Sequence, residues 1–99
     1  MKRIHKYELP INGGIKTICD PIEKVLDIQC QGSFPVMWAE VDLDKESKSM
    51  DIIAIGTGWE YEADEVGEYL GTAQDGYGYV WHYFVYKPLE MEKAPTEKE

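Results

Sequence analysis

Residues 69–84, YLGTAQDGYGYVWHYF, hold seven rings when His82 is counted, and a single formal charge, Asp75. Rings at this density serve one of two purposes. They fill a core hairpin, or they build a surface on which a flat ligand stacks, each nucleotide base gaining ~1–3 kcal/mol without surrounding positive charge. Catalysis asks for a nucleophile beside a base, paired carboxylates in a pocket, or a metal. None of these constellations is legible. His82 is the best acid–base candidate, yet a lone histidine between Trp81 and Tyr83 on a strand more often has a structural or ligand-contacting role. His5 and His82 lie far apart in the chain, and Cys19 and Cys30 form no CxxC pair, so no metal site is expected. Neither enzymatic activity nor a cofactor is expected.

Phosphates of a nucleotide ligand need cations, and the one basic cluster is Lys2, Arg3, His5 and Lys6. Arg3 is the only arginine, so this strand is the candidate phosphate side. Glu60, Glu62, Asp64, Glu65 and Glu68 form an acidic run with no basic member, which is ordinarily a solvated face. The net charge of −9 and a pI near 4.6 argue against long nucleic acid, whose phosphates most of this surface would repel. A small anion in a local basic pocket is still compatible with that balance. GTG at 56–58 lacks the GxGxxG pattern and a following helix, so it is no phosphate loop. Its small residues read as a strand end that comes close to something, either another strand or a ligand.

These residues must be positioned by a small fold. Ninety-nine residues make one domain with a modest core, and oligomerisation is the expected further source of buried area. No apolar run approaches the ~18 residues of a membrane span, and the N-terminus leads into polar sequence without a signal-peptide core. A soluble, cytoplasmic protein with reduced, buried or half-buried cysteines is expected.

Short runs rich in Val, Ile, Tyr and Trp, separated by Gly, Pro, Asn and Asp, predict a mainly β protein. The expected fold is a small single-domain antiparallel sheet of about six to seven short strands, a sandwich or half-barrel, with at most one short helix. RIHKYEL (3–9) reads as a strand, NGG (12–14) as a tight turn, and IKTICD (15–20) as the returning strand. KVLDIQCQ (24–31) alternates so that Leu26, Ile28 and Cys30 should face the core. PVMWAEVDL (35–43) puts Met37, Ala39, Val41 and Leu43 on one side. MDIIAIGTG (50–58) is apolar on both faces and should be a central strand. The acidic segment after it suits a loop or one helical turn, with Asp64 a possible cap. EYLGTAQ (68–74), a DGYG turn and YVWHYFVYK (79–87) then form a hairpin whose last strand has the strongest β signal. The folded, ligand-binding domain is expected over 1–87, and residues 88–99 read as a mobile acidic tail.

Taken in order, KYEL (6–9), WAEVD (38–42), GTG (56–58), YLGT.Q (69–74) and VWH.F (80–84) resemble a family of small proteins widespread in phages and prophages. The resemblance covers about residues 2 to 86, and the ordered set is far more specific than any one piece. That family is similar to phage anti-CBASS sponge proteins, which bind cyclic dinucleotides without cleaving them and so silence a host alarm. The resemblance implies action in the cytoplasm of an infected bacterial host; a chain this small has little room for a deep pocket of its own, so a homodimer or homotetramer with ligand held at subunit interfaces is expected. It points to Lys6, Tyr7, Trp38, Thr57, Thr72, Gln74, Trp81 and His82 as pattern positions. Many relatives are expected to carry His after GTG, where this chain has Trp59. With the ring and charge arguments, the expected ligand-binding set is Arg3, His5, Tyr7, Thr57, Trp59, Tyr69, Gln74, Trp81 and His82. The competing reading is an acidic interaction module that blocks a host protein, with the run from 60 to 68 as its binding feature.

Overall fold

The structure is a computed structural model that describes residues 1–88. The tail expected over 88–99 lies, apart from Pro88, outside the described residues. Among the described residues seven strands follow one another: β1 (Lys2–Glu8), β2 (Ile15–Asp20), β3 (Ile22–Gln31), β4 (Phe34–Asp42), β5 (Lys48–Gly56), β6 (Val66–Gln74) and β7 (Val80–Tyr86), with one 3-10 turn, Ala63–Glu65, before β6. All pairings are antiparallel and form two sheets, β1-β4-β3 and β2-β5-β7-β6. The mainly β expectation holds, and both β5 and β7 are interior strands.

The sheets face each other across one core. Met37 and Ala39 from the first sheet meet Ile52, Ala54, Trp81 and Tyr83 from the second, with Ile18, Ile28 and Leu9 closing the ends. β3 runs beside β6, where Gly71 leaves room for Ile28: a Cβ there would stand 3.1 Å from the Ile28 Cδ1. On the opposite side, between β1 and β2, the seam is held by Tyr7, whose hydroxyl donates to Asp20 Oδ2 at 2.6 Å. The architecture is a sandwich of the two antiparallel sheets. Met37 is fully buried, so Met37→Ala is expected to lower stability by ~2–5 kcal/mol in urea unfolding, because the surrounding strands cannot collapse into the cavity.

Five local expectations need correction. Asn12 and Gly13 do have positive φ, 57° and 79°, but NGG closes no hairpin. β1 pairs with β4 and β2 with β5, so this turn carries the chain from one sheet to the other. In β3, register shifts at Ile22/Lys24 and Val25/Asp27 insert extra residues and reverse the alternation. Ile28 is buried, Leu26 is exposed, and Cys30 runs past the end of the core to the rim. Cys19 is exposed as well, since it points opposite to buried Ile18 on β2. Leu43, one residue beyond β4, is exposed instead of sharing the Met37 side. Finally, Asp64 lies inside the 3-10 turn; Glu62 holds the cap position and makes no side-chain cap bond.

Candidate functional site

β5 ends at Gly56, and the next three residues turn back so that the Trp59 amide donates to the Gly56 carbonyl at 3.1 Å. Gly58 supplies the positive φ (87°) that this turn requires. The Trp59 ring then folds down over the strand it has just left. An added Cβ on Gly56 would lie 2.6 Å from Trp59 Cε2, and one on Gly13 3.3 Å from Cζ3. Whether GTG approaches a strand or a ligand therefore has a third answer: it approaches its own tryptophan. Trp59 stands edge-on to Trp81, ring centroids 5.4 Å apart at 77°, and Tyr79 tilts against Trp81 at 6.2 Å.

These rings wall a cleft of about 680 Å³, lined also by Ile11, Asn12, Thr57 and Tyr77. That volume falls in the ~300–1,000 Å³ range of small-molecule sites. Trp59, Tyr77 and Tyr79 are all exposed, so their rings are open to a ligand. Among the described residues none that lines the cleft is Lys or Arg. The one charge among them is Asp75, which is buried and fastens the loop between β6 and β7. Its Oδ2 accepts from the Trp81 indole Nε1 at 2.9 Å, and its Oδ1 from the amides of Tyr77 (2.8 Å) and Tyr79 (3.0 Å). The Trp81 bond above all, and then the loop amides, hold the Asp75 carboxyl below the usual carboxylate range against the opposing effect of burial.

A second polar feature shares Thr57 with the cleft. Thr57 Oγ1 lies 2.7 Å from His82 Nε2, His82 Nδ1 lies 3.0 Å from Thr72 Oγ1, and the Tyr69 hydroxyl lies 2.5 Å from Thr72 Oγ1. A neutral imidazole accepts at one nitrogen and donates at the other, so this row orients every hydroxyl in it. It runs across the outer face of β5-β7-β6, because Ile55 pairs with His82 and His82 with Thr72. Two threonine hydroxyls and a phenol aligned on one imidazole can hydrogen-bond polar edges of a ligand that leans out of the cleft.

Of the expected set, Thr57, Trp59 and Trp81 line the cleft, and His82 and Tyr69 join it through Thr57 and Thr72. Gln74 sits at the base of the loop, its Nε2 donating to the Gly78 carbonyl at 3.2 Å. Arg3, His5 and Tyr7 are elsewhere. They lie on β1 in the other sheet, where the Tyr7 hydroxyl meets His5 Nδ1 at 3.4 Å as well as Asp20. Burial, and then the Asp20 bond and charge, push the Tyr7 phenol well above its ordinary value, so it stays a neutral donor. Arg3 is opposite Val41, about 20 Å along the strand from Leu9 at ~3.3 Å per residue. The sequence reading missed Asn12, Tyr77, Tyr79 and the anchoring role of Asp75. The signal for Asp75 was present: a lone carboxylate before glycine in an otherwise uncharged ring-rich run is placed to accept loop amides.

Gly56→Ala is expected to drive the Trp59 ring off the strand, since the new methyl cannot coexist with it. Tryptophan fluorescence should shift to longer wavelength while circular dichroism keeps its β signature; an unchanged emission spectrum would contradict the described seat of Trp59.

The chain belongs to the family described as Domain of unknown function (DUF7352), whose model matches residues 1–94. No curated protein and no solved structure matches it. Among the described residues no helix is long and apolar enough to cross a membrane.

Proposed function

We propose that the protein binds a cyclic dinucleotide reversibly and leaves it intact, as a phage-encoded sponge that withdraws a host alarm signal in the bacterial cytoplasm. The observation that carries this reading is the ring-walled cleft: Trp59 is seated on two glycines and faces open space beside Tyr77 and Tyr79. A base slides onto Trp59 at little ordering cost, because that ring is already held by its packing on Gly13, Gly56 and Trp81. The Thr57–His82–Thr72 row offers hydrogen bonds to its edge. The described residues of the cleft walls include no cation, so the phosphates extend outward, where a second copy of the chain in a homodimer or homotetramer supplies charge.

Titration calorimetry against a panel of cyclic di- and trinucleotides tests the reading, with chromatography of the ligand after incubation. Heat with recovered intact ligand is expected. At 100 times the dissociation constant the ligand should add ~2.7 kcal/mol of stability. Absence of heat across the panel, or recovery of cut ligand, would exclude a sponge for these signals.

One observation favours the acidic interaction module instead. Glu60, Glu62 and Glu65 surround a shallow depression with Trp59 and Tyr61, a combination that suits a basic protein surface. Charge reversal at Glu60 and Glu62 separates the two, since it would abolish docking to a basic partner and leave nucleotide binding intact.

A further inference from the structure

Among the described residues β1 is an edge strand with one side of its backbone unpaired. Leu43 donates its amide to the Met1 carbonyl and Leu9 donates to the Pro35 carbonyl. In an antiparallel ladder bonded pairs recur every second residue, so the odd positions of β1 are bonded to β4. The amides and carbonyls of Lys2, Ile4, Lys6 and Glu8 therefore point away from the sheet. The strand runs for seven residues with no proline and no register shift against β4. β2, across the seam, joins the other sheet and gives this edge no backbone bonds.

We infer that this edge pairs with the same edge of a second copy of the chain, antiparallel about a two-fold axis at His5, to make a six-stranded sheet β3-β4-β1-β1-β4-β3. Charge decides the register. Only even positions can bond across the new ladder, which leaves three substantial registers. Shifted one way, Lys2 faces Lys6; shifted the other, Lys6 faces Lys6. Centred on His5, Lys2 faces Glu8 of the second copy and Ile4 faces Lys6, each pair occurring twice by symmetry. Opposite charges directly across strands attract and like charges repel, so the centred register is favoured and uses the whole strand. Glu8 has no hydrogen bond or ion pair among the described residues, and Lys2, at the surface, holds Glu40 at 3.4 Å and is attracted to Asp42 opposite it on β4. Ile4, 60% exposed, becomes the diagonal neighbour of its own copy and is covered.

This pairing has a consequence for the cleft that rests on the nucleotide reading, whereas the dimer itself does not. Antiparallel alignment sets Arg3 of the second copy beside Tyr7, and its Lys2 beside Glu8. Both cations thereby move to the end of β1 that leads through Leu9 to Ile11 and Asn12 on the cleft wall. The dimer supplies from outside a charge that no described residue of a single copy brings to the cleft wall.

Sedimentation velocity on the full chain without ligand tests the interface. The wild type should be a dimer. Glu8→Lys and Lys2→Glu should each weaken it by on the order of a hundredfold, since each turns two attractive pairs into two repulsive ones. The double variant Lys2→Glu/Glu8→Lys should dimerise again, an outcome that the Lys2–Glu40 contact does not predict. Ile4→Pro removes one outward amide without touching the β4 ladder and should also give monomer, with circular dichroism confirming the fold. A monomeric wild type, a dimer indifferent to both single reversals, or a double swap that stays monomeric would each overturn the pairing. Because no nucleotide is present, failure here leaves the sponge reading standing, and a dimer with no nucleotide affinity leaves the interface standing.

Discussion

Asp75→Asn is expected to destabilise the protein at neutral pH and to flatten its loss of stability in acid. The carboxylate serves both sides of the loop, with Oδ1 taking two amides and Oδ2 the Trp81 indole. An amide side chain can keep one side only, because its NH₂ then faces either the indole N–H or the loop amides, donor against donor. The acid behaviour follows from the direction of the shift. The folded carboxyl titrates below its ordinary value of 3.8, so its contribution is present above the unfolded value and disappears as pH falls through the folded one. Urea midpoints of the wild type should therefore fall steeply below about pH 4, and those of the Asn variant less steeply from a lower start. Other carboxylates add to the wild-type slope, Asp42 among them, so the difference between the two curves is the quantity to read. Parallel curves would mean that Asp75 does not fasten the loop as a carboxylate. A companion sign is near-ultraviolet circular dichroism, where the fixed Trp81–Trp59 pair should lose intensity.

Strand composition was the most legible layer of this protein, because alternation and β-branched or aromatic content are local properties. β7 is the clear case: Trp81 and Tyr83 are buried on one face while His82 and Phe84 lie on the other, as the parity of the sequence requires. The β6–β7 hairpin was legible too, because its DGYG turn is local; what could not be read was the pairing of strands distant in the chain. Nothing between residues 9 and 15 distinguishes a hairpin turn from a crossing between sheets; the difference lies in Leu9 entering the core and the Pro10 carbonyl accepting from Tyr83, 73 residues away. The β3 bulges were equally hidden, since an extra residue leaves no mark on composition yet moves Leu26 to solvent. The site divided along the same line. Thr57, Trp59 and Trp81 converge because β5 and β7 are neighbours; ring content points to the two tryptophans, and the family resemblance points to Thr57. Arg3 was joined to them by charge chemistry, and the β1–β4 pairing places it in the other sheet.

That separation makes salt dependence the sharpest probe of the ligand site. Trp59→Ala is expected to weaken cyclic dinucleotide binding by roughly tenfold to a hundredfold, the loss of one stacked base at ~1–3 kcal/mol, with the same response to added salt as the wild type. Arg3→Ala should weaken binding at low salt and also flatten its salt response, because only this change removes a cation whose attraction the electrolyte screens. The Arg3 effect should depend on assembly, since in one copy Arg3 stands at the far end of β1 from the cleft. Combined with Glu8→Lys, which separates the copies, Arg3→Ala should add little more, while Trp59→Ala should still cost its full factor. If Arg3→Ala and Glu8→Lys instead act independently on affinity, the cation is not delivered by a second copy. If neither Trp59→Ala nor Arg3→Ala changes affinity for a nucleotide that does bind, the ligand sits outside the ring-walled cleft, and the acidic depression beside Tyr61 becomes the surface to test.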